Sequence, residues 1–254
     1  MRILYSLLIY PIIFFASLAN LRAQVIVYED FVPEKQKIYS KERFFYGYIQ
    51  TAGFGLGYEQ GHYNKKFVYS GWNIEFATQL DPKRFGNNWY RGRKYVYGQI
   101  NSFCMLRVGY GSSYVFNDKP FWGGVTIALR YSGGLSLGLA FPQYLYILYD
   151  STGNDIRLEK MNPNNPKHLQ IENILRRGPY MKGVWHLRPY PGIYAKIGLN
   201  FEFGKTQERS HAIEAGLMYD FYFTRIPIMA KNKYPMGFLN FYIAYRFGKR
   251  YGQL

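Results

Sequence analysis

Apolar and polar residues alternate with a period of two through most of the chain beyond residue 43. Residues 125–141, VTIALRYSGGLSLGLAF, contain two such runs on either side of the Ser-Gly-Gly at 132–134. A three-residue loop there brings Tyr131 opposite Leu135 and sets every apolar side chain against another, and glycine supplies the positive φ that such loops need. This stretch predicts a β-hairpin rather than a buried helix.

Six further segments show the same alternation and bring the predicted number of strands to eight: residues 44–58, 68–77, 96–108, 193–203, 213–223 and 239–247. In the first of them, Phe44, Tyr46 and Tyr48 are placed on the same apolar face as Phe54 and Leu56. Beyond the N-terminal leader, no uninterrupted apolar run reaches the ~18 residues of a membrane helix. The pattern therefore predicts an all-β protein.

Three features favour a transmembrane barrel over a soluble sandwich or a lipocalin-like cup. The strands are about ten residues or longer, which is enough to cross a bilayer at a tilt. Aromatic residues crowd the strand ends, as in RFFYGY, FYFTR and AYRF, and such clusters are typical of the girdles at the two membrane interfaces. The strand number is even, and short connections alternate with long ones. The predicted fold is an eight-stranded antiparallel transmembrane β-barrel over residues 44–254, with a filled polar interior.

Both termini of such a barrel lie in the periplasm. This placement predicts periplasmic turns at residues 81–93, 132–134 and 204–210, and outward loops at residues 59–66, 111–122, about 142–191 and 224–237. In the longest outward loop, Asn165 is a predicted N-cap, Pro166 occupies the first helical position and Gly178 ends the segment. We expect a short surface helix there.

The N-terminus has the layout of a secretory signal peptide over residues 1–23, with Arg2, an apolar run and a small residue at Ala23. An uncleaved anchor helix is the alternative. Residues 24–43 then form a periplasmic N-terminal arm that could reach a partner by strand addition. The formal charge of +16 indicates either a polyanionic neighbour or a contribution of the charge to solubility. Export argues against nucleic acid and favours outer-membrane lipids and lipopolysaccharide, or an acidic protein of the periplasm or outer membrane.

Eight ionisable residues occupy the polar positions of the predicted strands and are expected to face the barrel interior: Glu75, Arg107, Arg130, Lys196, Glu202, Glu214, Asp220 and Arg246. An eight-stranded barrel is just wide enough for side chains to fill, and unpaired charges in a dry interior are costly. We therefore expect a paired network that plugs the barrel, with an ion-conducting path as the alternative. A second group predicts a basic patch on the periplasmic rim, for lipid headgroups or an acidic partner: Lys83, Arg84, Arg91, Arg93, Lys94, Lys249 and Arg250.

Motifs for catalysis or cofactor binding are not recognisable in the chain. His62 and His168 are predicted to lie in outward loops, near Ser112 and Ser113, but no GxSxG motif or spaced acid supports a triad. The other histidines and the single cysteine lack metal-ligand spacing. We expect no enzymatic activity, no cofactor and no metal.

Several segments resemble an uncharacterised family of small outer-membrane barrels from Bacteroidota: YGQINSFCMLRVGYG, YSGGLSLGLAFPQYLYIL, PGIYAKIGLNFEF, IPIMA and FYIAYRFGKRYGQL. The resemblance covers most of the chain after about residue 90. It implies a barrel fold and an outer-membrane location, and it implies no particular activity.

The function expected from these features is that of a non-enzymatic barrel, acting as a structural or accessory subunit of an envelope complex such as a secretion or barrel-assembly machine. The alternatives are a small-solute transport or ligand-binding barrel, with the longest loop as a lid, and a lipid-modifying enzyme that uses His62 or His168.

Overall fold

The structure, a computed structural model, describes residues 39–65, 68–80, 96–117, 124–150, 155–203, 209–230 and 234–253. Eight long strands close into an antiparallel barrel: β1 (Tyr39–Gln50), β2 (Gly53–Lys65), β3 (Val68–Gln79), β4 (Asn101–Asn117), β5 (Thr126–Pro142), β9 (Arg188–Phe203), β10 (Arg209–Tyr222) and β11 (Gly237–Gln253). They follow one another in this order around the barrel, and β11 pairs with β1 to close it. The predicted fold class, a closed eight-stranded antiparallel barrel, is confirmed.

Closure leaves no unpaired strand edge in the barrel. Tyr39 pairs with Gln253, so the first and last described residues of the barrel meet at one end, which we call the terminal end; the opposite end is the loop end. Because β1 begins at Tyr39, residues 39–43 belong to the barrel rather than to the predicted arm. The predicted signal peptide and the rest of the arm lie outside the described residues.

The predicted hairpin within residues 125–141 is wrong, because β5 runs as one strand of 17 residues. Leu135 pairs with Val108 on β4 and with Ile193 on β9 rather than with Tyr131. Gly134 pairs with Gly109 in mid-strand, and a Cβ at Gly109 would overlap the hydroxyl end of Tyr194. Gly109 thus leaves space for an inward tyrosine, and Gly134 allows the close approach of the β4 main chain instead of forming a turn.

A second error compensates for the first. Residues 44–58, predicted as one strand, contain the tight turn at 51–52 that joins β1 to β2, where Gln50 pairs with Gly53. The turn reverses which alternate positions face inward, so Tyr46 is 2% exposed whereas Leu56 is 65% exposed. The prediction therefore has one strand too few at residues 44–58 and one too many at residues 125–141, so the predicted number of eight strands is still correct.

The same two errors explain which connections were assigned to the wrong end. The connections at the terminal end span residues 66–67, 118–125 and 204–208, and those at the loop end span residues 51–52, 80–100, 143–187 and 223–236. The predicted connections at residues 59–66, 81–93 and 111–122 were assigned to the wrong end of the barrel relative to the termini. They lie between the missed turn at 51–52 and the predicted turn at 132–134, which does not exist. The sides of the last three predicted connections agree with the structure.

The longest connection carries a small sheet, the loop sheet, formed by β6 (Tyr144–Leu148), β7 (Ile156–Lys160) and β8 (Ile174–Arg177) in the order β7-β6-β8. Two 3-10 turns and one short helix, α1 (Tyr180–Val184), accompany it. A single helix from Asn165 to Gly178 is not formed. Asn165 does cap a 3-10 turn, with its side chain accepting from the Lys167 N–H at 3.1 Å, but the chain then turns extended because Ile174 is buried in the core of the loop sheet.

Within the described ranges, no helix has both the length and the apolar character needed to cross a membrane.

Candidate functional site

Ionised side chains fill the middle of the barrel and form the central network: Glu59, Glu75, Arg107, Arg130, Lys196, Glu214, Asp220 and Arg246. Successive side chains of a strand point to opposite faces of the barrel wall. Each charged side chain therefore points inward, whereas its apolar neighbours in the strand point outward. Arg107 is fully buried. Its Nη1 lies 3.1 Å from Glu75 Oε2, and its Nη2 lies 2.7 Å from Asp220 Oδ2. Arg107 Nε also donates to Asp220 Oδ1 at 2.8 Å, which makes this pair bidentate.

A second part of the network surrounds Arg246. Arg246 Nη1 lies 2.9 Å from Glu214 Oε2, and its Nη2 lies 2.7 Å from Glu59 Oε2. Arg130 binds the other oxygen of Glu59 and reaches Glu214, with its Nε 3.4 Å from Oε2. Each of these two carboxylates therefore faces two guanidinium groups. Glu59 had been predicted to begin an outward loop, because the turn at 51–52 was missed.

Lys196 joins the two parts. Its Nζ lies 3.1 Å from Glu75 Oε1 and 3.6 Å from Glu214 Oε1. The ammonium group also lies 4.5 to 5.3 Å from the ring centroids of three tyrosines, Tyr46, Tyr48 and Tyr242. The hydroxyls of the first two donate to Glu75 at 2.8 and 3.0 Å, and that of the third donates to Glu214 at 2.6 Å. The tyrosines thus supply hydrogen bonds to the buried carboxylates and π-faces to the buried cation.

Inward glycines on β2 make room for these tyrosine rings. A Cβ at Gly57 would overlap the ring of Tyr46, whereas a Cβ at the outward Gly47 would lie 3.5 Å from its nearest neighbour, Leu56 Cδ2. We expect Gly57→Ala to lower the free energy of unfolding by about 1–3 kcal/mol through overpacking, and Gly47→Ala to change it by less than ~0.5 kcal/mol. Denaturant titration of the folded barrel in lipid vesicles measures both values. Equal effects of the two substitutions would show that the ring does not require this space.

A separate cluster lies nearer the terminal end. Arg250 binds Glu202 through two bonds of 2.9 and 2.6 Å, and its Nε lies 3.1 Å from Glu42. Glu42 also accepts a hydrogen bond of 2.8 Å from the hydroxyl of Tyr63. Arg250 had been predicted to lie in the periplasmic basic patch. It lies inside because β11 continues to Gln253 and keeps Arg250 on the same side of the strand as Arg246.

Of the predicted basic patch, the structure describes two members, Arg250 and Lys249. Lys249 is exposed at the terminal end, but the connection of residues 80–100 joins β3 to β4 at the loop end. The five other members, Lys83, Arg84, Arg91, Arg93 and Lys94, lie outside the described residues.

Apolar side chains close the barrel at the loop end. Residues 96–100 and 226–230, which we call the mouth plug, fold across the opening and are joined by main-chain bonds of 2.8 Å from Ile100 N–H to the Ile228 carbonyl and from Ala230 N–H to the Gly98 carbonyl. Ile226 and Ile228 are buried against side chains of the barrel wall, among them Phe103, Tyr222 and Phe238. Beside the central network, a cavity of about 10 Å³ has room for roughly one water molecule. Among the described residues, paired charges thus occupy the middle of the interior and apolar side chains its loop end.

The two histidines considered for catalysis lie at opposite ends of the barrel. His62 is exposed on β2 near the terminal end. His168 is buried in the connection that carries the loop sheet. Its Nδ1 accepts a hydrogen bond of 3.1 Å from the Asn162 N–H, and its Nε2 lies 3.0 Å from Glu159 Oε2. Because Nδ1 accepts, the ring proton lies on Nε2 and points at the carboxylate. His168 is therefore bound into the loop structure, and the two histidines do not share a site. Among the described residues, His, Cys, Asp and Glu side chains form no group of three or more that could hold a metal ion.

The outer wall of the barrel is apolar on every strand. Large hydrophobic side chains stand exposed around the full circumference, among them Ile49, Leu56, Phe76, Val108, Leu135, Ile197, Leu217 and Ile243. Nearer the terminal end, aromatic rings form a continuous row across β11, β1, β2 and β3, with centroids 4.8 to 6.5 Å apart: Tyr245, Phe247, Phe45, Tyr58 and Trp72. The usual arrangement of a globular protein is therefore inverted, with charge inside and apolar surface outside.

Among solved structures, this chain is similar to three bacterial proteins, each with a TM-score below 0.5. Neisserial surface protein A is 9% identical over 84% of this chain and 97% of its own, with a TM-score of 0.41. Ail, the attachment invasion locus protein of Yersinia pestis, is 11% identical over 84% of this chain and 100% of its own, with a TM-score of 0.36. The N-terminal β-barrel domain of Pseudomonas aeruginosa OprF is 11% identical over 85% of this chain and 100% of its own, with a TM-score of 0.35. No protein-family model matches the sequence, and no curated protein does.

Proposed function

We propose that this protein is a non-enzymatic integral barrel of the outer membrane that acts through its surfaces, as a structural or accessory subunit of an envelope complex. The observation that carries the proposal is the inverted distribution of polarity, with a closed apolar belt outside and paired ions inside. Water would penalise an exposed apolar belt of this extent, whereas lipid solvates it. A closed barrel satisfies every main-chain group of its wall without help from water, which is the condition for crossing a bilayer with strands.

The orientation follows from the connections. In bacterial barrels of this type, short turns lie in the periplasm and longer loops face outward. The terminal end, with connections of residues 66–67, 118–125 and 204–208, is then periplasmic. The loop end, which carries the loop sheet and the mouth plug, faces the cell exterior.

A closed interior favours a role at the surface over transport. The central network fills the middle of the barrel with paired charges, and the mouth plug covers the loop end. A small solute would need both to move, so we expect no open path through the folded protein. The same packing leaves the outer wall and the two ends of the barrel as the surfaces available to a partner.

Planar-bilayer recording tests the closed interior. We expect the purified, refolded protein to give no sustained conductance steps under conditions in which a general porin, inserted into the same bilayer, gives regular steps. Steady single-channel steps from the barrel, with uniform amplitude, would replace this proposal with the transport alternative.

Purification from gently solubilised membranes, after cross-linking, tests the subunit role. We expect the barrel to recover the same protein partners in a fixed ratio from independent preparations. A matched sample cross-linked after solubilisation distinguishes membrane neighbours from proteins that associate later. Repeated recovery of the barrel alone would reject the subunit role and leave the membrane location standing.

A further inference from the structure

Four cations gather on one side of the loop sheet and form what we call the basic rim: Lys160, Arg176, Lys182 and Arg188. Lys160 on β7 pairs with Tyr144 on β6, and Arg176 on β8 pairs with Tyr146 on the same strand. Leu145, between the two tyrosines, points the other way into the core of the loop sheet. The strand alternation therefore places Lys160, Arg176 and both tyrosines together on the face that turns away from that core.

The tyrosines organise the cations of the basic rim. Arg176 Cζ lies 4.5 Å from the ring centroid of Tyr146, and Lys182 Nζ lies 5.5 Å from that of Tyr144. The hydroxyl of Tyr144 is also 3.3 Å from Nδ1 of His186. The rings thus hold positively charged groups at the surface without neutralising them.

No carboxylate pairs with the four cations within the part of the chain that the structure describes. Partial burial of the Lys160 amine and the nearby charge of Arg188 lower the pKa of this amine from its ordinary value. Arg157, a cation on the same sheet, instead binds Asp155 at 2.8 Å. The basic rim therefore carries positive charge that an external anion can neutralise, whereas Arg157 already has its partner.

Exposed apolar residues connect the basic rim to the apolar wall. Outward residues of β5, including Leu135 and Leu137, lead up to Phe141, and α1 packs beside it, with Gly183 against Phe141 and Pro142. Directly after α1, Trp185 is 85% exposed. Tryptophan prefers the boundary between hydrocarbon and headgroups, and lysine and arginine interact there with lipid phosphates.

We propose that the basic rim and Trp185 form a binding site for the phosphate groups of a phosphorylated glycolipid in the outer leaflet. The inference rests on the proposed membrane orientation. A soluble polyanion would be bound by the cations alone, whereas an exposed indole that lies in the chain between Lys182 and Arg188 fits a ligand that joins phosphate to acyl chains. Unpaired cations supply charge complementarity, and the indole supplies contact at the level of the headgroups.

Native mass spectrometry of the full chain in neutral-lipid nanodiscs tests the site. The probe is diphosphoryl lipid A, and fully dephosphorylated lipid A is the negative control. We expect adducts of the phosphorylated form only. The variant Arg176→Gln/Lys182→Gln should weaken the apparent affinity about tenfold or more, because each basic residue near an anionic surface contributes about fivefold to the affinity. Trp185→Ala should weaken it without changing the charge.

The matched control is Arg157→Gln/Lys167→Gln, which removes two cations from the same loop end, both placed over the ring of Tyr149. This control should retain the wild-type affinity. Equal adducts with the two forms of lipid A, equal losses in the two double variants, or full competition by inorganic phosphate would each overturn the proposed site. A barrel that fails to insert into bilayers at all would instead contradict the membrane proposal, and heat-modifiable migration of each variant on gels separates the two outcomes.

Discussion

We expect the substitution Glu214→Gln to lower the free energy of unfolding by about 3–5 kcal/mol, the typical loss when one member of a buried ion network is removed. The side chain of Glu214 is almost fully buried and lies within 3.6 Å of the charged nitrogens of Lys196, Arg130 and Arg246. Glutamine nearly preserves the shape, removes the charge and replaces one acceptor oxygen with an NH2 donor, so three cations lose a shared counter-ion inside the barrel. Urea titration in phospholipid vesicles, followed by tryptophan fluorescence, gives the value.

The control for this substitution is Asp155→Asn in the loop region. Asp155 forms its ion pair with Arg157 at the surface, where the two side chains are 41% and 57% exposed. Because water solvates both groups, we expect Asp155→Asn to lower the free energy of unfolding by less than about 1 kcal/mol. A loss of similar size for Glu214→Gln would mean that the interior is wet enough to screen the network.

The inward charges could be predicted from the sequence because the neighbouring outward positions are strongly apolar. On β9, Ile193, Ile197 and Leu199 face outward, so Lys196 stands out as the inward position between them. The partners of Lys196 were not readable. They come from β1, β3, β10 and β11, and only closure of the barrel brings such distant strands together.

The turn between β1 and β2 was missed because tyrosine suits both sides of this barrel wall. Inside, Tyr46 and Tyr48 bury their rings and donate hydroxyl hydrogen bonds to Glu75. Outside, Tyr58 contributes its ring to the aromatic row. An aromatic residue therefore does not identify the face of a strand, and the alternation continues through residues 51–52 without a visible break.

The loop sheet has strands of only four and five residues. Segments this short show too little alternation to be recognised, and β6 pairs with β8 across the 25 intervening residues 149–173. Asn165 gave a correct local signal for a capped turn. The tertiary burial of Ile174 then decided the conformation that follows, and no local pattern in the sequence reports it.

A charged residue on the outer wall should destabilise the barrel according to its depth. Leu135 is 71% exposed in the middle of β5, between Val108 and Ile193 of the neighbouring strands. We expect Leu135→Arg to lower the free energy of unfolding in vesicles by about 2–4 kcal/mol, because the guanidinium would have to lie in hydrocarbon or deform the bilayer. The measurement is a denaturant titration in vesicles, with folded protein detected by its electrophoretic mobility.

The matched control is Val125→Arg, which places the same side chain on an exposed position just before β5 at the terminal end. There the guanidinium reaches headgroups and water, so the expected loss is about 0–1 kcal/mol. The difference between the two losses in unfolding free energy reports whether lipid or water surrounds the wall at Leu135. The intrinsic cost of arginine in an extended chain is largely common to both sites and cancels. In water, both positions would accept arginine almost equally, because each is already solvated. Equal and small losses at Leu135 and Val125 would therefore mean that the apolar belt does not lie in lipid, and the membrane proposal would fail with them.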